Sequence, residues 1–69
     1  MSAPRFVPGD RILFTDGPLT ARATVVGETG AHYRVHVDGE RPDRTMLIPK
    51  WLPMRALTEH ERSAERTHA

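Results

Sequence analysis

Alternation of apolar and polar side chains over residues 32–37 is the feature that most constrains the fold of this chain. The segment alternates three apolar side chains with three polar ones: Tyr33, Val35 and Val37 with His32, Arg34 and His36. Successive side chains of a β-strand point to opposite faces, so this spacing predicts a strand with one buried face. The sequence therefore indicates β-structure at its centre.

Four further segments have strand character. They are residues 11–14, 21–26, 45–48 and 54–57, and they are separated by segments rich in Gly, Pro and Asp. Five short strands with turn signals about every eight to twelve residues favour an all-β fold whose sheet closes, or nearly closes, into a barrel. Closure also removes the exposed edges that a small sheet has to protect.

Each connection predicts its own geometry. Gly17 and Pro18 break the chain after the first strand, since Gly tolerates positive φ and Pro lacks a backbone donor. Residues 27–30 are suited to a four-residue hairpin between the two clearest strands, and residues 38–44 form a longer polar loop. Residues 49–53 begin and end with proline, which favours a single 3-10 turn before the last strand.

The chain divides into three zones. Residues 1–8 form a proline-flanked arm, residues 9–57 hold almost all of the β-branched and aromatic side chains, and residues 58–69 contain no large apolar side chain. Thr58 and Glu61 have the spacing of a helix-capping box. Because an isolated helix of this length is marginal without an apolar stripe, we expect a short C-terminal helix or a disordered tail after the barrel.

A chain of 69 residues supports only a thin core. The inward positions of the strands and turns give the expected core: Ile12, Phe14, Ala23, Val25, Tyr33, Val35, Val37, Ile48, Leu52 and Leu57. Phe6 is expected to close one end of the barrel, and Trp51 either plugs the other end or stands exposed as a binding residue. Because so small a barrel gains little net stability, we expect it to dock on a larger protein partner or to form a homo-oligomer.

The order of these elements resembles the SH3-like small β-barrel, the superfold of KOW and Tudor modules. The resemblance is carried by residues 8–12 at the entry, 16–18 in the first loop, 33–35 in the third strand and 48–52 before the last strand. It implies a five-stranded barrel with a long first loop and a 3-10 turn before the last strand. The superfold hosts many functions, so the resemblance implies no activity by itself.

The residues offer no evident catalytic or metal centre. His32 and His36 would lie about 13 Å apart along a strand, too far to share one ion, and the chain contains no cysteine. The acidic residues fall at strand ends and in loops, where carboxylates stay solvated and do not acquire the raised pKa of a general acid. We therefore expect no enzyme activity, no cofactor and no metal.

A set of basic and aromatic side chains is the main functional candidate. Its members come from the third strand, the 38–44 loop and the turn before the last strand: Tyr33, Arg34, Arg41, Arg44, Lys50 and Trp51. In an SH3-like barrel that loop and that turn approach one another, so these side chains are expected to line a shared groove. Arginine forks suit phosphates, and the aromatic rings suit stacked bases or the side chains of a partner.

Charge decides between two kinds of partner. The chain has ten Lys and Arg against nine Asp and Glu, a formal net charge of +1, whereas a nucleic-acid-binding module usually has a clear basic excess. Asp38, Glu40 and Asp43 also interleave with the loop arginines. We therefore rank a non-catalytic protein-interaction module, or an accessory subunit of a larger protein assembly, above the alternative of an RNA- or DNA-binding module.

The sequence gives no membrane signal. No apolar run approaches the roughly 18 residues of a membrane span. Residues 1–5 lack the apolar stretch of a secretory signal. The expected location is therefore cytoplasmic, with no membrane partner.

Overall fold

The computed structural model describes residues 5–66 and folds them into one antiparallel sheet followed by a helix. The elements are β1 (Arg11–Asp16), β2 (Leu19–Glu28), β3 (His32–Val37), β4 (Met46–Pro49), β5 (Met54–Ala56) and α1 (Glu59–Arg66). The strands lie in the order β4-β3-β2-β1-β5, and each neighbouring pair is antiparallel. The predicted all-β class and its five strands are therefore confirmed.

β1 and β2 join through a turn of two residues. The two strands stay in register as far as Asp16 and Leu19, which leaves only Gly17 and Pro18 between them. Gly17 has a φ of 61°, the left-handed conformation that a type II′ hairpin needs at its first central residue. Pro18, with its φ fixed at about −65°, suits the second position. The long first loop implied by the SH3-like resemblance is therefore wrong, because the tight turn lets both strands continue to the end of the hairpin.

β2 is long enough to pair with two neighbours at once. Its first part pairs with β1, and its later part, beginning at Ala23, pairs with β3. The register shifts between Val25 and Gly27, so Val26 is an extra residue whose side chain points away from the core and is 43% exposed. A bulge of this kind bends the strand and increases its twist. The apolar faces of both halves of the sheet consequently meet in one cluster.

The core lies on one face of the bent sheet. Its clustered side chains are Phe6, Ile12, Phe14, Ala23, Val25, Tyr33, Val35, Ile48 and Leu52. Leu57, which follows β5, is buried outside this cluster. The burial of these residues confirms the predicted core with one exception, Val37, which is half-buried because it ends β3 and borders the exposed Met46. Phe6 joins the core from the arm, and its ring packs edge-on against Tyr33 with the centroids 5.7 Å apart.

β4 and β5 end the sheet, and no ladder joins them within the described residues. The turn between them contains an i→i+3 hydrogen bond from the Leu52 N–H to the Pro49 carbonyl, 3.2 Å long. The Lys50 N–H donates back to the Ala31 carbonyl at 3.0 Å. Because bonding alternates along an antiparallel ladder, Pro49 falls where its missing N–H would face the free edge. The proline thus blunts the edge that β4 presents to other chains.

α1 begins at the predicted capping box. The Thr58 N–H donates to Glu61 Oε1 at 2.8 Å, and the Glu61 N–H donates to Thr58 Oγ1 at 3.2 Å. The segment that was expected to be a short helix or a disordered tail is thus helical through Arg66, and residues 67–69 lie outside the described part. The sequence of α1 contains no large apolar side chain, so polar contacts must hold it in place.

The alternation of buried and exposed positions along β4 is testable with one matched pair of variants. Ile48 is 1% exposed and its neighbour Leu47 is 45% exposed. We expect Ile48→Val to lower the free energy of unfolding by about 0.5–1.5 kcal/mol, since it removes a buried methylene. Leu47→Val is expected to change it by less than about 0.5 kcal/mol. Urea denaturation measures both, and an equal or larger loss for Leu47→Val would contradict the register of β4.

Candidate functional site

Tyr33, one of the predicted stacking residues, belongs to the core. It is 3% exposed, and its hydroxyl accepts a hydrogen bond of 3.2 Å from the Phe6 N–H. Lys50 Nζ lies 5.1 Å from the centroid of the ring, in cation–π contact. The ring has no free face for a nucleic-acid base, so the prediction that Tyr33 stacks a ligand is wrong for this conformation. Tyr33 is at an inward position of β3, so its ring packs in the core.

Lys50 is paired with an acid. Its Nζ donates to Glu28 Oε2 at 2.6 Å, and Arg5 donates to the other oxygen of Glu28 at 3.1 Å. The hydrogen bonds from Lys50 and Arg5 lower the pKa of Glu28, which keeps the carboxylate charged at neutral pH. The predicted phosphate-binding lysine is therefore already engaged, and together with Arg5 it fastens the N-terminal arm beside β2.

The three arginines of the predicted site lie near the start of β4. Arg34 Nη1 donates to Thr45 Oγ1 at 3.3 Å. Arg41 Nε lies 3.7 Å from Asp43 Oδ1, and these two side chains are 76% and 73% exposed, so the pair is largely solvated. Within residues 5–66, Arg34 and Arg44 take part in no ion pair. These two are the cations of the predicted site that remain available to a ligand.

A shallow depression of about 230 Å³ opens next to Arg44. Its lining residues are Val37, Glu40, Arg44, Thr45 and Met46. The acid and the base at its rim offset one another, so the depression does not favour a charged ligand of either sign. It accounts for the incomplete burial of Val37 at the end of β3.

Trp51 lies at the far end of β4 from the loop arginines. It is 78% exposed, more than any other large apolar side chain that the structure describes. Arg41 and Arg44 precede β4, whereas Trp51 follows it. A strand rises about 3.3 Å per residue, so the five steps from Thr45 to Lys50 span about 16 Å. The expected shared groove is therefore not formed, and Trp51 does not plug the end of a barrel.

Sequence reasoning missed a second basic cluster, on the outer face of the sheet. Leu13 of β1 is paired with Arg22 of β2 on one side and with Arg55 of β5 on the other. Arg11 precedes Leu13 by two residues and so points to the same face. We call Arg11, Arg22 and Arg55 the outer arginine face. Each of three strands carries one arginine at an outward position. The sequence shows these arginines, but only the strand order shows that they are neighbours.

Arg11 is the most connected member of the outer arginine face. Its two terminal nitrogens donate to Asp38 at 2.7 and 2.6 Å, and one of them also donates to Thr24 Oγ1 at 2.8 Å. It donates twice more to Glu65 of α1, from Nε at 3.2 Å and from Nη2. These hydrogen bonds, first those with Asp38 and then those with Glu65, raise the pKa of Arg11. Arg11 thus ties the end of β3 and the helix to the centre of the sheet.

The other two arginines also face acids of α1. Arg22 Nη1 lies 3.5 Å from Glu65 Oε2. Arg55 binds both oxygens of Glu61, at 2.8 and 3.0 Å, in the two-pronged geometry that suits a guanidinium and a carboxylate. The two glutamates are four positions apart, so both reach the sheet from the same side of the helix. Charge contacts therefore hold α1 against the outer arginine face.

The same contacts keep the acids ionised. Hydrogen bonding to Arg11 lowers the pKa of Asp38 and that of Glu65. Arg55, together with the backbone N–H of Thr58, lowers the pKa of Glu61 to about 2. None of these carboxyls carries a proton at neutral pH, so none is suited to act as a general acid.

One of the two histidines of β3, His36, contacts the 38–44 loop. His36 Nε2 lies 3.1 Å from the Glu40 carbonyl oxygen and 3.0 Å from that of Arg41, which tethers the start of the 38–44 loop. Across residues 5–66, no group of three or more His, Asp or Glu side chains is placed to hold a metal ion.

Comparisons with known proteins gave no match: no family model matches the chain, and neither does any curated protein or solved structure. Within the described residues, no helix has the length and apolar character needed to cross a membrane. The function is therefore inferred from the geometry of this chain alone.

The lowered pKa of Glu61 predicts how stability depends on pH. Its pKa falls from 4.5 in the unfolded chain to about 2 in the fold, so its contribution is complete above about pH 5 and is lost as the pH falls toward 2. We expect Glu61→Gln to be less stable than the wild type at neutral pH, and the difference to shrink on acidification. Urea midpoints of the wild type and of Glu61→Gln, measured across this range, test it. A difference between wild type and Glu61→Gln that does not change with pH would contradict the ion pair.

Proposed function

We propose that this chain is a non-catalytic protein-interaction module, or a small accessory subunit that docks on a larger protein, and that Trp51 is the centre of its contact surface. The observation that carries the proposal is the 78% exposure of this side chain, the single tryptophan of the sequence. A tryptophan offers roughly 150–250 Å² of surface to bury, and tryptophan is enriched among the residues that dominate protein–protein binding. A chain with so thin a core leaves its largest apolar side chain outside it.

Trp51 is presented by a fixed backbone. On one side, the Lys50 N–H donates to the carbonyl of Ala31, the residue that precedes β3. On the other, Leu52 is 7% exposed, and its N–H closes the turn onto Pro49. A side chain held on an ordered turn gives up little backbone entropy when a partner covers it. This support favours a preformed contact point over a mobile loop residue.

We further propose that the bent sheet is an SH3-like barrel with a short first hairpin. Three features support this: five antiparallel strands in an order that places β5 beside β1, the bulge that bends β2, and a core confined to one face. The single turn between β4 and β5 completes the expected order of elements. In this arrangement Trp51 occupies the turn before the closing strand.

The distribution of charge favours a protein partner over a nucleic acid. Lys50 is neutralised by Glu28, and each member of the outer arginine face is close to at least one acid. A phosphate backbone would have to displace those acids. One observation supports an RNA- or DNA-binding module as the second candidate. Among the described residues, Arg34 and Arg44 of the predicted site take part in no ion pair.

A non-catalytic role is supported by the state of the acids. The four carboxyls with lowered pKa are engaged with arginine or lysine and stay charged: Glu28, Asp38, Glu61 and Glu65. General acid–base catalysis needs a group whose pKa lies near the working pH. Ion pairing keeps the pKa of each of these four carboxyls below the neutral range.

Replacing Trp51 by alanine tests the proposed contact surface. We expect Trp51→Ala to change the free energy of unfolding by less than about 0.5 kcal/mol, because the side chain is exposed. Loss of a central aromatic contact is expected to weaken binding by about 2 kcal/mol or more, roughly thirtyfold. The measurement is affinity capture with the wild type, followed by calorimetric titration of the purified partner with each variant. Leu19→Ala, at a side chain 54% exposed, is the matched control and should bind as the wild type does. Equal affinities for Trp51→Ala and the wild type would contradict the proposal.

A salt series separates the two candidate functions. Phosphate contacts release counterions, so nucleic-acid binding weakens steeply as salt rises. We expect a labelled single-stranded RNA to bind this chain only weakly at moderate salt, with little change in the Arg34→Ala/Arg44→Ala variant. Tight, salt-sensitive binding that this double variant abolishes would favour the second candidate.

A further inference from the structure

The outer arginine face is a preformed acceptor for carboxylates. Arg22 and Arg55 flank Leu13 from the two neighbouring strands, which places them about 10 Å apart across the sheet. Arg11 lies beside them on β1, fixed by two bonds to Asp38 and one to Thr24. The sheet therefore holds three guanidinium groups on one side before any contact with α1 is counted.

α1 presents two carboxylates to this face. Glu61 and Glu65 are four residues apart, which is about 6 Å along the helix axis. Glu61 takes the bidentate contact with Arg55, and Glu65 lies between Arg11 and Arg22. The side chains of the two glutamates are 22% and 26% exposed, so the acids point at the sheet and not into solvent.

This contact is weak for a packed element of a fold. The helix has eight residues and no large apolar side chain, and a helix of this length is not stable in isolation. Arg22 and Arg55 remain 40% and 51% exposed, whereas Arg11 is 19% exposed, and exposed ion pairs contribute little to stability. We therefore expect α1 to be the element that local opening releases most easily. When it leaves, the outer arginine face is open.

We propose that α1 is an intramolecular occupant of the outer arginine face, and that this face binds a helix of a partner protein that carries two carboxylates one turn apart. The partner's helix takes the places of Glu61 and Glu65. This surface is distinct from the Trp51 surface, so the inference goes beyond the function proposed above and does not depend on it.

The geometry favours an acidic helix over a phosphate chain. The face already accepts two carboxylates at helical spacing, and a guanidinium binds a carboxylate through two parallel hydrogen bonds. Asp38 stays bound to Arg11 when α1 leaves, since both belong to the sheet or its adjoining turn. Its fixed negative charge reduces the field that would attract a polyanion.

The experiment uses the full chain with Glu61→Gln/Glu65→Gln, which weakens the hold of α1. Glutamine at position 61 still supports the capping box. The probe is a fluorescent alanine-rich peptide of about 16 residues, long enough for partial helicity, with two glutamates four positions apart. Fluorescence anisotropy measures its affinity for each chain. The matched control peptide has glutamines at both positions, and Glu40→Gln is the matched control for the chain.

We expect the double variant to bind the glutamate peptide at least about fivefold more tightly than the wild type, because occupation by α1 reduces the fraction of open chains. Glu40→Gln should behave as the wild type, and the glutamine peptide should not bind. Adding Arg22→Gln/Arg55→Gln to the double variant should abolish binding. Glu65→Gln alone leaves the Thr58–Glu61 cap intact and is expected to raise the affinity for the glutamate peptide by a smaller factor. This single variant replaces the double variant in the experiment if the double variant does not fold. Trp51→Ala should bind the peptide as the wild type does, so failure here and failure of the Trp51 surface are distinguishable.

Three results would overturn the proposal. The first is equal affinity of wild type and released variants for the glutamate peptide, including no binding by any of them. The second is equal binding of the glutamate and glutamine peptides. The third is tighter binding of a single-stranded RNA than of the peptide by the released chain, which would assign the face to phosphates.

Discussion

Burial of one face of the sheet is the constraint on which the rest of the structure depends. Inward side chains of β1, β2, β3 and β4 meet in a single cluster, and the extra residue Val26 lets β2 bend far enough to serve both halves. At roughly 25 cal/mol per Å², burial of apolar surface is the main favourable term available to a chain of this size. Once the inward positions are set, the strand period fixes which side chains face outward.

Ion pairs and charged hydrogen bonds hold the segments that lie outside the apolar core. Arg11 connects β3, through Asp38, and α1, through Glu65, to the centre of the sheet. Glu28 does the same for the N-terminal arm through Arg5 and Lys50. Side chains of opposite charge are therefore paired locally at these contacts. Within residues 5–66, Trp51 belongs neither to the core cluster nor to these charge contacts.

Much of the fold could be predicted from the sequence, because alternation and turn residues are local signals. The alternation at residues 32–37 located β3 and its buried side chains, and failed only at Val37, whose burial depends on what covers the end of the strand. The site was less predictable. Tyr33 was assigned both to the core and to the binding surface, although its inward position allows only the first. The partners of Glu65, Arg11 and Arg22, are distant in sequence, so only the strand order reveals them.

Native-state hydrogen exchange measured by NMR tests most directly the claim that apolar burial holds the sheet while charge holds α1. Amides of β3, one of the three strands that have a neighbour on each side, are expected to exchange only through global unfolding. Amides of α1 are expected to exchange much faster, through local opening that added salt promotes. Protection of α1 equal to that of β3 and unaffected by salt would contradict the account.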